Sequence, residues 1–208
     1  MWWQYLVCIA AGYLLGAVPY GLIVGYLFSG KDVRRYGSGK TGVTNVLRVA
    51  GPIPAAIVLV ADVAKGAAAA VIGTWAFDDA GAGAAGAAAA VVGHVFPIFA
   101  GFRGGRGVAT AFGGILGLAP LVSLIFPVIG AILIIPTRIV SFMSVVGTPI
   151  AVLIVVAAAA AGWVSWPAAY YALFALMVIE LMHIPNIRRL LAGTEPRIGE
   201  GGDRPATG

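Results

Sequence analysis

Long apolar stretches alternate with short polar loops along almost the whole chain. About 20 apolar residues in a helix cross the hydrocarbon core of a bilayer, so the pattern predicts an all-α bundle of transmembrane helices. Pro120 separates the fourth and fifth stretches, which are both short. Seven membrane helices are therefore favoured, and six are the alternative if these two stretches form one broken helix. The apolar stretches lie at 4–28, 52–76, 82–99, 106–118, 120–136, 139–161 and 167–183.

The composition supports a membrane protein. Of 208 residues, 61% are hydrophobic and 10% are charged, whereas soluble domains are about 45–50% apolar and about 25% charged. This chain lacks the polar side chains that would cover a water-exposed surface. A soluble globular enzyme, a disordered chain and a nucleic-acid-binding module are therefore excluded. Cys8 is the single cysteine, so no intrachain disulfide can form.

The distribution of basic residues predicts the orientation in the membrane. With seven helices and the N-terminus outside, 12 of the 13 basic residues fall on one side, and Lys65 lies within the second helix. An excess of Lys and Arg marks cytoplasmic loops, and tryptophans gather at membrane interfaces. We therefore expect an external N-terminus and a cytoplasmic C-terminus. The tryptophans at the predicted outer boundary are Trp2, Trp3, Trp75, Trp163 and Trp166.

The pattern indicates a single membrane-embedded catalytic domain over 1–195, followed by a polar tail at 196–208 that we expect to be disordered and cytoplasmic. The small residues of 80–90 predict close helix packing. Within the second helix, Asp62 and Lys65 are three residues apart and can neutralise each other in lipid.

The first polar cluster is the glycine-bearing loop GSGKTGVTNVLR at 37–48. It is not a nucleotide P-loop, because Arg34 stands where that motif needs its first glycine and the loop follows a membrane helix. Glycines still let the backbone approach an anion, and Lys40 and Arg48 add positive charge, so phosphate binding is favoured. A solvated loop that serves orientation only is the alternative.

The second cluster runs from GHVFP at 93–97 to FRGGRGVAT at 102–110. Its RGGRG element precedes an apolar helix, so free amides at the helix N-terminus would lie beside two guanidinium groups. Both features bind anions. The alternative is a flexible basic turn, and His94 by itself is more typical of packing or loop fixing than of catalysis.

The third cluster, ELMHIPNIRRL at 180–190, ends the last apolar stretch. His183 and Asn186 share a face if this turn is helical, although Pro185 between them can distort it. A His beside an Asn at the membrane boundary can position a hydroxyl or take its proton. Arg188 and Arg189 are expected to anchor the helix to lipid headgroups.

Together these clusters resemble the bacterial acyl-phosphate:glycerol-3-phosphate acyltransferases. The residues that carry the resemblance are SGKTGVTN at 38–45, GHVFPIFAGFRGGRGVAT at 93–110, HIPNIRRLLAGTE at 183–195, and Asp62, Lys65 and Gly66 in the pattern D-x-x-K-G. Four features depart from the family pattern. Lys40 replaces the usual Asn, Arg103 and Arg106 replace lysines, Met182 replaces a common Arg, and Glu180 is unusual at its position.

The resemblance implies an integral membrane enzyme of the bacterial cytoplasmic (inner) membrane, with its active site facing the cytoplasm. It implies transfer of a fatty acyl group from acyl phosphate to the 1-hydroxyl of glycerol 3-phosphate, which gives lysophosphatidic acid and phosphate in the first acylation step of phospholipid synthesis. It calls for no cofactor, metal or nucleic acid, and we expect a monomer in the lipid bilayer. A small anion transporter or channel is the alternative from another class.

The acyl-transfer reaction implied by the resemblance suggests a role for each candidate residue. Phosphate is a good leaving group, and no Ser-His-Asp arrangement is present, so we expect direct attack by the acceptor hydroxyl. The candidate catalytic residues are Ser38, His183 and Asn186, with the proton passing either to His183 or to a substrate phosphate. The candidate substrate- and phosphate-binding residues are Gly39, Lys40, Thr44, Asn45, Arg48, His94, Arg103, Gly104, Gly105, Arg106, Gly107 and Ser141.

Overall fold

Helices form every regular element in the computed structural model, which describes residues 1–201. Eleven α-helices are joined by short turns, by 3-10 turns at Val33–Arg35 and Ile98–Ala100, and by a π-helical turn at Met143–Gly147. The all-α membrane fold predicted from the sequence is confirmed. The α-helices are α1 (Trp2–Ala17), α2 (Tyr20–Ser29), α3 (Val43–Ala50), α4 (Pro52–Ala76), α5 (Ala80–Val95), α6 (Val108–Leu118), α7 (Pro120–Ser123), α8 (Ile125–Thr137), α9 (Val140–Phe142), α10 (Thr148–Ala160) and α11 (Trp166–Leu191).

Six helical segments within residues 1–201 are long and apolar enough to cross a membrane. Helix α6, in contrast, has 11 residues and is only about 16 Å long, about half the thickness of the hydrocarbon core. The count of seven membrane helices and the external N-terminus stay predictions. The segments are Trp2–Ser29, Pro52–Ala76, Ala80–Ala100, Pro120–Thr137, Val140–Ala160 and Trp166–Leu191.

The fourth and fifth apolar stretches form separate helices. The backbone leaves the helical conformation at Ala119, where φ is −147°, and α7 then begins with Pro120. A proline is well tolerated in the first turn of a helix and cannot continue a preceding one. Helix α6 packs against α4, whereas α8 packs against α10 and the π-helical turn.

The first apolar stretch is broken at Val18–Pro19 into α1 and α2. The ammonium group of Lys65 donates a hydrogen bond of 3.1 Å to the Val18 carbonyl at this break. The same ammonium lies 2.8 Å from the Asp62 carboxylate. The ion pair predicted within the second stretch is therefore present, and it also binds an irregular piece of backbone that lipid could not solvate.

Small residues let α1, α4 and α5 approach one another closely. A Cβ atom added to Gly12, Gly16 or Gly93 would overlap backbone atoms of the opposing helix, and one on Gly86 would meet both Ala69 and Cys8. Membrane helices lack a hydrophobic force between them, so tight backbone packing supplies much of their association. The glycine- and alanine-rich stretch 80–90 serves this purpose, as predicted.

Leucine at position 86 should weaken this helix packing. Gly86→Leu places a branched side chain between two helix backbones, and overpacking of this kind typically costs about 1–3 kcal/mol. We expect the melting temperature of the protein in detergent to fall by about 2–12 °C. Ala68→Leu on the lipid-exposed face of α4 is the control and should melt like the parent protein. Equal melting temperatures for the two variants would contradict the packing described here.

Candidate active site

A single cavity of about 480 Å³ brings the three polar clusters together. Its polar mouth is formed by the loop before α3, the turn before α6 and the end of α11, and its interior is apolar. Of the predicted site residues, the cavity is lined by Ser38, Lys40, Thr44, Asn45, Arg48, His94, Arg106, Gly107, Ser141 and His183. The remaining predicted residues, which lie outside the lining, are Gly39, Arg103, Gly104, Gly105 and Asn186.

The first loop is folded around Asn45, whose side chain is 2% exposed. Its amide nitrogen donates to the carbonyls of Val33, Tyr36 and Lys40 at 2.8, 3.2 and 2.9 Å. Its amide oxygen accepts the Ser38 backbone N–H at 2.9 Å. Asn45 therefore fixes the conformation of the loop and the position of Ser38, and the predicted substrate contact of Asn45 stays a prediction.

Two glycines allow the loop to turn this tightly. Gly37 and Gly39 have φ of +56° and +68°, in the left-handed region that other residues rarely adopt. The Gly39 N–H closes the turn by donating to the Tyr36 carbonyl at 3.0 Å. Gly39 thus shapes the loop beside the cavity.

His94 and the RGGRG turn form one packed unit. The His94 carbonyl accepts the Gly105 N–H at 3.1 Å, and the Gly104 carbonyl accepts the Thr41 N–H at 3.4 Å, which joins the first two clusters. A Cβ atom on Gly105 would overlap the His94 ring. His94 Nδ1 lies 3.4 Å from the Asp62 carboxylate. The Asp62–His94 pair thus supports the turn that carries Arg106 at the cavity, with Arg103 exposed at its start.

The cationic groups at the mouth are partly removed from water. Burial lowers the pKa of Lys40, and the nearby Arg106 and Arg103 lower it further. Burial also lowers the pKa of Arg106 to about 10, against the attraction of Glu195. The Nε atoms of Arg48 and Arg106 are buried and have no hydrogen-bond partner within residues 1–201. A site with desolvated cations and unused donors favours an anionic ligand.

Glu195 is the main acidic group at this mouth. Its carboxylate accepts hydrogen bonds from Ser141 Oγ at 2.7 Å, Asn186 Nδ2 at 2.6 Å and Arg189 Nε at 2.7 Å. Burial raises the pKa of this carboxyl, but the hydrogen bonds and the charge of Arg189 outweigh burial and hold the pKa below its usual value. Glu195 therefore ties α9 to the end of α11.

Sequence reasoning missed this role of Glu195. The residue ends the stretch HIPNIRRLLAGTE at 183–195, and its place in that motif was the one available signal. Arg189 was expected to anchor a lipid headgroup together with Arg188; instead Arg189 binds Glu195, while Arg188 is exposed. The Glu195 carboxylate, just after the end of α11, lies within hydrogen-bond distance of Arg189 and replaces the expected headgroup as its partner.

Helix α11 runs unbroken through Pro185, so His183 and Asn186 do share a buried face. His183 Nδ1 lies 2.8 Å from the Ile179 carbonyl. A carbonyl only accepts, so Nδ1 carries the hydrogen and Nε2 is the unprotonated nitrogen of the neutral ring. Asn186 Oδ1 is buried without a partner within residues 1–201. Both atoms are acceptors suited to a hydroxyl group.

The chain just beyond Glu195 follows the cavity mouth. The Ile198 N–H donates to the Arg138 carbonyl at 2.8 Å, and Arg48 donates to the Pro196 carbonyl at 3.5 Å. The disorder predicted for the tail 196–208 stays a prediction, and its residues 202–208 lie outside the described part of the chain.

These features define a polytopic helical membrane protein whose cavity joins a desolvated cationic mouth to an apolar interior. The sequence model of the protein family described as glycerol-3-phosphate acyltransferase matches residues 6–193 of this chain. The chain belongs to the glycerol-3-phosphate acyltransferase family, and it is an integral membrane acyltransferase. The predicted family, enzyme class and role in phospholipid synthesis are thereby confirmed.

Several relatives are similar over nearly their whole length. Glycerol-3-phosphate acyltransferase of Synechococcus sp. (strain JA-3-3Ab) is 43% identical over 207 residues, which covers 96% of each chain. The glycerol-3-phosphate acyltransferase of Rhizobium meliloti (strain 1021) is 44% identical over 199 residues, which covers 95% of this chain and 94% of that protein.

Crystal structures of PlsY (YgiH), an integral membrane glycerol 3-phosphate acyltransferase, share the fold. The glycerol 3-phosphate form is 34% identical with a TM-score of 0.85, and covers 94% of this chain and 96% of its own. The lysophosphatidic acid form is 32% identical with a TM-score of 0.82, and the match covers 93% of this chain and 94% of that chain.

The ionised Glu195 should stabilise the folded protein. Because its pKa is lowered on folding, its contribution is present above the unfolded pKa, near about 4.3, and is lost as the pH falls through the folded pKa. We expect Glu195→Gln to lower the melting temperature in detergent at pH 7, and this deficit to shrink as the pH is lowered below about 4.3. Glu200→Gln, which changes an exposed carboxylate, should show no deficit. A Glu195→Gln deficit that is constant with pH would refute the assignment.

Proposed function

We propose that this protein transfers a fatty acyl group from acyl phosphate to the 1-hydroxyl of glycerol 3-phosphate. The products are lysophosphatidic acid and inorganic phosphate. The observation that carries the proposal is the single cavity in which a cationic mouth meets a long apolar interior. Both substrates carry phosphate and one carries a lipid chain, so one cavity offers each part a suitable environment.

The phosphate groups bind at the mouth. Arg48 and Arg106 offer buried Nε donors without partners in the described chain, and guanidinium groups bind phosphate through paired hydrogen bonds. Lys40 lies in the same lining and adds a third cation. Arg103 and the turn glycines Gly104, Gly105 and Gly107 extend this positive surface beside the cavity.

The acceptor hydroxyl attacks the acyl carbonyl carbon. The new C–O ester bond forms while the bond from that carbon to the phosphate oxygen breaks, and phosphate leaves with the electron pair. His183 Nε2 and Asn186 Oδ1 orient the hydroxyl, and its proton passes to His183 or to a substrate phosphate. Ser38, held by the Asn45 side chain, donates to the acyl phosphate. No covalent enzyme intermediate and no cofactor are required.

The cavity mouth faces the cytoplasmic side of the bacterial inner membrane. Twelve of the 13 basic residues lie in the segments assigned to that side, in accord with the positive-inside rule. A monomer suffices, because residues 1–195 of one chain supply every group that the proposed reaction uses.

Alanine at Ser38, Arg106 or Asn186 should abolish most of the activity. Each change removes a group that holds substrate at the reacting atoms, and we expect at least about a 100-fold loss in rate. The measurement is lysophosphatidic acid formed by purified protein from acyl phosphate and labelled glycerol 3-phosphate. Parallel reactions contain acyl-CoA or acyl carrier protein as donor, and these should be inactive.

Arg35→Ala is the matched control, because Arg35 is exposed in the same loop and lies outside the cavity. It should keep its rate within about twofold of the parent. Full activity of the Ser38, Arg106 or Asn186 variants, or transfer from acyl-CoA without acyl phosphate, would contradict the proposal. Anion transport into liposomes without acyl transfer would favour the transporter alternative.

The proposed orientation predicts opposite labelling of two loops. In a Cys8→Ala background, Lys31→Cys and Asp78→Cys each place one exposed cysteine on a different side of the membrane. A membrane-impermeant maleimide should label position 78 in intact spheroplasts and position 31 only in inside-out vesicles, because basic loops stay in the cytoplasm. The reverse pattern would overturn the orientation.

A further inference from the structure

One face of α11 forms a wall of the cavity from its mouth to its deep end. His183, Ile179, Ala175 and Tyr171 line the cavity and recur every four residues, so they lie along one face of the helix. Ala172, which is three residues before Ala175 and next to Tyr171 in sequence, also lines the cavity. From His183 inwards, this face changes from a polar ring to the aliphatic side chain of Ile179 and then to Ala175. It ends with Ala172 and the large aromatic ring of Tyr171, which lie about 1.5 Å apart along the helix axis. The alanines leave room beside the helix, and the tyrosine removes it.

Tyr171 is held firmly at the deep end. Its side chain is buried, with the residue 2% exposed, and its hydroxyl donates to the Ala111 carbonyl of α6 at 3.0 Å. A Cβ atom on Gly114 would overlap the tyrosine ring, so the glycine makes the space that the ring occupies. The ring of Tyr171 therefore packs between α11 and α6 in a fixed position and closes the end of the cavity.

The other walls at this depth are apolar. Ile115 of α6 and Val152 of α10 belong to the same buried cluster as Tyr171, and Phe126 of α8 packs against that cluster; all of them line the cavity. The Phe112 and Phe126 rings lie 6.0 Å apart. The Tyr171 hydroxyl already has its acceptor in Ala111, so it needs no polar ligand group. The deep part of the cavity thus suits a hydrocarbon chain and offers no polar recognition.

The length of this helix face indicates how long an acyl chain the cavity can hold. From His183 to Tyr171 is twelve residues, or about 18 Å along the helix axis. An extended alkyl chain advances about 1.25 Å per carbon when the C–C bond is about 1.5 Å and the bond angle about 111°. A chain whose carbonyl lies beside His183 therefore reaches Tyr171 with about 14–16 carbons.

We propose that Tyr171 is the floor of the acyl-chain channel and limits the length of the acyl group, that the small side chain of Ala175 keeps the channel open above it, and that Ala172 leaves space beside the tyrosine ring. These three are specificity-determining residues. The inference rests on the proposed function, since it needs the acyl group to enter the cavity from the His183 end.

The test compares donors of different length in two variants. Ala175→Leu narrows the channel about 12 Å from His183, the reach of about ten carbons. We expect its ratio of 16-carbon to 10-carbon acyl phosphate turnover to fall at least about tenfold, because a methylene-sized misfit in an apolar site is worth about 10–200-fold. Tyr171→Ala removes the floor and should raise the ratio of 20-carbon to 16-carbon turnover by about tenfold.

Ratios are measured within one preparation, so the amount of folded protein cancels. Ala157→Leu makes the same substitution on the exposed face of α10, and its ratios should match those of the parent protein. Parent ratios in both Ala175→Leu and Tyr171→Ala would overturn the inference and leave the proposed function standing. If Ala175→Leu gives no product with any donor, the Tyr171→Ala ratio decides alone. A parent protein that forms no lysophosphatidic acid from any acyl phosphate would instead refute the proposed function.

Discussion

Burial of positive charge at the edge of the hydrocarbon region is the constraint on which the site depends. Removing an ion from water costs several kcal/mol unless a partner compensates. Lys40, Arg48 and Arg106 line one cavity together with Glu195, but the hydrogen bonds of Glu195 go to Ser141, Asn186 and Arg189. The mouth therefore retains excess positive charge after folding, and an anionic substrate would neutralise it. The same excess of positive charge therefore lowers the stability of the empty protein and favours binding of an anionic substrate.

Glycine and asparagine make this arrangement possible without flexible loops. Asn45 uses all its amide hydrogen bonds on the backbone of one short loop, and Gly105 lets the RGGRG turn lie directly on His94. Both loops are joined by the bond between Thr41 and Gly104. The cations are thus carried on backbone that is already ordered, which reduces the entropy lost when a ligand binds.

Much of the fold and the meeting of the three clusters could be predicted from the sequence, because hydropathy locates the membrane segments and basic residues assign their loops to one side. The role of Glu195 could not be found in this way, since its partner Ser141 is 54 residues away in sequence and only the packed bundle brings the two together. The break of the first apolar stretch at Val18–Pro19 and the π-helical turn at Met143–Gly147, beside Ser141, also escaped prediction. Hydropathy records how apolar a segment is, and it does not record where the backbone stops being helical.

The position of Glu195 after α11 has a consequence for biosynthesis. This carboxylate is translated after the loops that carry Arg48 and Arg106, whose charges it attracts, so the growing chain has no Glu195 to offset them while the earlier helices enter the bilayer. Those loops must remain hydrated until α11 is in place. The charge balance of the mouth is therefore complete only when Glu195 has joined the cavity lining.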